Sequence, residues 1–124
     1  MIFFLVQIVV DELLANKNKP DAIFAAADKL TTNCLRIFKT KKMIVPDDIG
    51  LIGFSNIDLA ELLNPPMSVI RQPAFEMGEV AMKLLLQVIE SKRPVTDFET
   101  KVLSTEMMIR GSTKTLSTHA KKPV

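Results

Sequence analysis

Two short apolar runs, Ala22-Ile-Phe-Ala-Ala-Ala27 and Ile49-Gly-Leu-Ile-Gly-Phe54, constrain this chain more than any other feature. Neither alternates polar with apolar residues, the pattern of strands covered on both faces, as in a parallel sheet flanked by helices. Between them Asp28 opens a stretch in which Leu30, Cys34, Ile37 and Phe38 recur at helical spacing. Lys39, Lys41 and Lys42 close it with cations suited to a helix C-terminus. Val45-Pro-Asp-Asp48 then breaks the pattern. Strand, helix and strand within residues 22–54 have the size of a βαβ unit, whose crossover is right-handed in nearly all proteins. The predicted class is α/β, a three-layer sandwich around a mainly parallel sheet.

The flanking segments fit that frame. Phe4 to Leu14 is almost continuously apolar and ends at Asn16-Lys-Asn-Lys-Pro20, which predicts a helix and a turn. It lacks a basic leader and falls short of the roughly 18 apolar residues of a membrane span, so it reads as a helix to be covered by other protein rather than an anchor. Ser55-Asn-Ile-Asp58 leads into a short amphipathic stretch ending at Leu62-Leu63, which Asn64-Pro-Pro66 stops; Met67 to Gln72 has strand character. After Pro73, Met77, Val80, Ala81, Leu84, Leu85, Val88 and Ile89 repeat as one face of a long helix that Ser91-Lys-Arg-Pro94 ends. Phe98 to Ile109 reads as one or two strands, broken near Ser104-Thr-Glu106. Beyond Gly111 no apolar period remains, and a disordered remainder is expected, with residues 1–113 as the domain and 114–124 as its tail.

Charge and composition exclude several functions. The 16 basic and 14 acidic residues give a net charge of +2. Lys114, Lys121 and Lys122 lie beyond every acidic residue, and without them 13 basic face 14 acidic side chains. That body offers no phosphate-neutralising surface, so the chain alone is not expected to bind DNA strongly. The single cysteine, Cys34, forms no internal disulfide and fits a reducing cytoplasm. The single histidine, His119, lies in the expected tail, which argues against a histidine triad or a multi-histidine metal site. Cys34 sits on an apolar stripe as an inert thiol, and Gly50-Leu-Ile-Gly53 lies inside a strand without the spacing of a phosphate loop. Neither an enzyme nor a cofactor is expected.

In open α/β sheets ligands bind beyond the carboxyl ends of the strands. Asp28 follows the first strand; Ser55 and Asn56 follow the second. Three hydrogen-bonding side chains on one rim are what a polar small molecule such as a sugar requires. Each also has a local reading: Asp28 as an N-cap, Ser55 and Asn56 as turn or cap residues.

Five phrases, in order, carry a family resemblance: Pro20-Asp-Ala-Ile-Phe-Ala-Ala-Ala-Asp28, Val45-Pro-Asp-Asp-Ile-Gly-Leu-Ile-Gly-Phe54, Pro65-Pro-Met-Ser-Val-Ile-Arg-Gln-Pro73, Glu76-Met-Gly78 and Thr105-Glu-Met-Met-Ile-Arg-Gly-Ser-Thr113. Together they resemble the lactose/galactose-repressor (LacI/GalR) family of bacterial transcription regulators over residues 20–113. The resemblance implies a helix-turn-helix head joined to a two-lobed sensor similar to periplasmic sugar-binding proteins, a homodimer or higher oligomer, and a small effector that alters affinity for operator DNA. This chain resembles the later part of the second lobe; the head, the hinge helix and most of the first lobe have no counterpart, so operator contact belongs to a domain outside it. Residues 67–72 would cross toward the first lobe, the long helix would pack there, and residues 98–109 would return. The stripe on that helix would then lack its usual partner and be covered by self-association or rearrangement.

Departures from the family pattern fall at the rim. Ala27-Asp28 stands where the family usually has Asn-Asp, and Ser55 where it often has Asp, leaving Asp28 and Asn56 as the retained polar positions. By the same resemblance a two-fold contact would use Thr32, Leu35, Arg36, Leu62 and Leu63, with the two leucines facing solvent. Two other readings keep the fold class: part of a sugar-type solute-binding receptor for transport, or a small α/β enzyme.

Overall fold

The computed structural model describes residues 1–91 and 99–114. Its order is α1 (Ile2–Ala15), β1 (Ala22–Ala25), α2 (Asp28–Thr40), β2 (Gly50–Phe54), a 3-10 turn (Ala60–Leu62), β3 (Ser68–Arg71), α3 (Ala74–Glu90) and β4 (Glu106–Met108). The four strands form one sheet in the order β1-β2-β3-β4. β1 and β3 pair parallel to β2, and β4 returns antiparallel to β3. The expected α/β class with a mainly parallel sheet is therefore present.

The register explains where the core sits. Ile23 stands beside Leu51, and Ala25 beside Gly53 and then Val69, which puts these side chains on one face. α2 covers that face with Thr31, Cys34, Ile37 and Phe38, all buried, and the core closes with Ile49, Leu51, Met67 and Val69. Gly53 lets the helix approach: a Cβ there would lie 2.7 Å from Thr31 Oγ1, whose hydroxyl already donates to Ala27 O. α2 ends with Lys42 at φ 57°, its N–H bonded to Lys39 O and that of Met43 to Phe38 O. This is a Schellman cap built without the usual glycine.

α1 packs on α2. Val10 is its one buried residue, the Arg36 guanidinium lies 4.6 Å from the Phe3 ring centroid, and Asp11 pairs with Lys41. Most of the other apolar residues of α1 remain exposed, matching a helix that expects cover. α3 goes further: its apolar period is present, yet none of its residues is buried, and Phe75 is 82% exposed.

Three expectations need correction. β1 is an edge strand of four residues, and only Ala25 in it is buried while Phe24 is 55% exposed, so it is not covered on both faces. Unbroken apolarity reports the residue types a strand can bury, not what the fold supplies to bury them. In the stretch read as one or two strands, the described residues hold only Glu106–Met108; Phe98 lies outside them. The segment after Gly111 is also not free. Ser112 is 0% exposed, its Oγ donating to Leu51 O and accepting from Ser68 N, and Lys114 Nζ donates to Asp47 O. Hydrogen bonds rather than an apolar period hold it, which is why periodicity missed it. His119 and the rest of the expected tail from residue 115 lie outside the described residues.

Candidate functional site

The parallel strands deliver the predicted rim side chains to one end of the sheet. Asp28 is the first residue of α2, directly beyond β1. It is not the N-cap: Ala27 holds that position at φ −162° and ψ 157°, with no side-chain cap bond, and the Asp28 carboxylate is exposed in the first helical turn. A carboxylate there is favoured by the helix dipole and open to a ligand donor.

Ser55 and Asn56 follow β2 and do different work. Ser55 is 0% exposed; its N–H donates to Ile70 O, and its Oγ accepts from Ile57 N at 3.2 Å, closing the turn. Asn56 is half-buried and spends one donor and one acceptor on Gln72: Nδ2 donates to Gln72 O at 3.1 Å, and Oδ1 accepts from Gln72 N at 2.8 Å. One N–H and one lone pair of its carboxamide remain for another partner.

Sequence reading did not find Gln72 as the partner of Asn56, 16 residues away, because only the parallel pairing of β2 and β3 brings them together. It also missed a part-buried polar knot at the start of β3, the end of that strand away from the rim. Ser68 Oγ accepts from Arg110 N at 2.7 Å and lies 2.8 Å from Thr113 Oγ1, while Arg110 Nη1 donates to Met67 O at 2.9 Å. The phrase Arg110-Gly-Ser-Thr113 was visible; its pairing with Ser68 was not.

Two further hollows border this architecture. One, of about 500 Å³, runs from Phe54, Gln72 and Pro73 along Met77, Val80 and Leu84 of α3 to residues 101–105. The other, about 600 Å³, lies between the end of α2 and the residues before the paired prolines, lined by Leu35, Arg36, Met43, Leu63 and Pro65. Three of the predicted two-fold contact residues thus share one groove. Leu62 is 75% exposed beside it and Thr32 is exposed on α2, its Oγ1 donating to Asp28 O. Leu63, expected to face solvent, is half-buried against the core.

Among the described residues no group of three His, Cys, Asp or Glu side chains comes together. Burial raises the Cys34 thiol above its ordinary value, leaving it protonated. No helix among these residues is long and apolar enough to cross a membrane.

The family model of the periplasmic-binding-protein-like domain matches residues 4–113, and the chain belongs to that family. Within it, the chain is a part of a sensor domain of the lactose/galactose-repressor type. It is 35% identical over 107 residues to the transcriptional repressor CytR of Escherichia coli, covering 86% of this chain and 31% of the repressor. It is 32% identical to the ribose operon repressor of Haemophilus influenzae, over 83% of this chain and 30% of that one. The chain thus spans about a third of the length of the curated relatives it matches. A LacI family regulator from Enterococcus faecium, solved with bound ribose, superposes with a TM-score of 0.69 at 32% identity, over 87% of this chain and 39% of that one. These relatives are transcriptional regulators, not enzymes.

Proposed function

We propose that this chain supplies one rim of the effector pocket, and a dimer surface, to the sensor of a bacterial transcription regulator. The observation that carries this reading is the family match over residues 4–113 together with Asp28 and Asn56 at the ends of adjacent parallel strands. The effector is a sugar or another small polar metabolite: Asp28 accepts from a hydroxyl, Asn56 offers its remaining donor and acceptor, and Ser55 enters the rim by closing the turn that carries Asn56. With alanine and serine at two positions where the family has longer polar side chains, the effector presents fewer hydroxyls to this rim. By this reading the protein works in the cytoplasm. Operator DNA is contacted by a domain outside these residues, and the effector acts by binding one lobe arrangement better than another. Thr32, Leu35, Arg36, Leu62 and Leu63 form the two-fold contact.

The test is a graft of residues 4–113 onto the remainder of the Haemophilus influenzae ribose operon repressor, in place of the segment it matches. Ribose is the first probe, because regulators similar to this chain have been solved holding it. The expected result is an operator-binding dimer whose affinity for DNA shifts with ribose or a related metabolite, and loses that shift with Asp28→Ala. A folded graft indifferent to every sugar and nucleoside tried would overturn the reading.

A further inference from the structure

We infer that Asn56 is the positioning residue for the crossover out of the sheet, its carboxamide acting as one extra rung of the β2–β3 ladder and fixing the direction in which α3 leaves. The main-chain pairing of these strands ends at Phe54 beside Ile70, followed by the bond from Ser55 N to Ile70 O. Past that point β2 has turned away. A carboxamide presents the same O=C–N–H pair as a peptide unit, and Asn56 offers both to both main-chain groups of Gln72, at 2.8 and 3.1 Å. Gln72 O also accepts from Ala74 N at 2.8 Å, so the turn Gln72-Pro73-Ala74 is held from two sides.

At its N-terminus α3 brings no side-chain hold of its own. Its N-cap is Pro73, which makes no side-chain cap bond, and no residue of the helix is buried. The hollow between α3 and residues 101–105 begins at Phe54 and Gln72, so the helix meets the sheet at the point Asn56 grips. A helix with no buried residue takes the direction of its first turn from the hold on the residues that lead into it. Asn56 also stands on the proposed rim, so an effector that hydrogen-bonds its carboxamide and one that does not would hold the crossover differently. That consequence rests on the sensor reading; the anchoring does not, and the test below uses no ligand.

The experiment measures the distance distribution between spin labels at Lys39 on α2 and Glu79 on α3, both exposed, in a Cys34→Ala background, beside amide exchange of the unlabelled protein. With Asn56→Ala the distribution is expected to broaden at least about twofold and the Gln72 amide to exchange roughly tenfold faster, while the Leu51 amide, which donates to Ser112 O, keeps its protection and reports an intact sheet. Asn56→Asp keeps the acceptor for Gln72 N but sets a second acceptor against Gln72 O, so it should broaden the distances while Gln72 stays protected. A control, Thr40→Ala, should change neither. Unchanged distances in both Asn56 variants with Leu51 still protected would overturn the inference, and would leave the family and its proposed effector untouched.

Discussion

Burial on α2 pushes the Cys34 thiol above its ordinary value of 9.0, because the thiolate is the form that desolvation penalises. The folded chain therefore holds that proton more tightly than the unfolded one. Its contribution is fully present below pH 9.0 and is lost as pH rises through the higher native value. Urea unfolding on either side of that pH should show a steeper alkaline loss of stability in the natural protein than in Cys34→Ala. A thiol reagent should modify the native protein only as fast as it opens. Lys42 is a second residue with a definite cost, standing at φ 57° where a side chain is disfavoured by about 1 kcal/mol. Lys42→Gly should raise stability by about 0.5–1 kcal/mol in the same unfolding measurement, since both cap hydrogen bonds are main-chain and survive. The burial of Cys34 was legible in its apolar stripe, whereas the turn at Lys42 was not: lysines after a helix read as dipole partners, and only the backbone shows which one takes the left-handed turn.

At the scale of elements, α2 on β2 is the contact the fold depends on, and it was well marked in the sequence. Of the helical repeat Leu30, Cys34, Ile37 and Phe38, the last three are buried and Leu30 packs half-buried against the core, and the second apolar run became a strand that holds the buried Leu51. What the repeat could not give is the closeness of approach. Gly53→Ala would drive a methyl to within 2.9 Å of Thr31 Cγ2, on a side chain with no room to turn, and should cost about 1–3 kcal/mol by chemical denaturation. Thr31→Ser in that background should return part of the loss by removing the opposing methyl. α3 shows the converse limit. Its apolar stripe is as regular as that of α2, yet it buries no residue fully, because periodicity states which face wants cover and not whether a neighbour is there. The rim was legible to the extent that strand ends can be read: Asp28, Ser55 and Asn56 lie where the parallel order puts them, while the grip of Asn56 on Gln72 needed the third strand.

For the whole molecule, exposed apolar side chains on α1, on α3 and around Leu62 leave a surface that natural monomers rarely keep open. The proposed two-fold contact makes one part of that surface testable. Leu62→Asp, a change at a side chain that is not part of the core, should weaken self-association at least about tenfold by sedimentation equilibrium, whereas Phe75→Asp on α3 should leave it unaltered. A reversed outcome would move the interface to the long helix. The sheet itself is sealed from the far end of the described chain, for Ser112 Oγ reaches Leu51 O across 61 residues. That bond joins groups far apart along the chain, and loops of such length close late. During synthesis, then, the central strand stays without its last partner until Ser112 has left the ribosome, and the nascent chain should remain open to protease until that moment, however early its βαβ unit has formed.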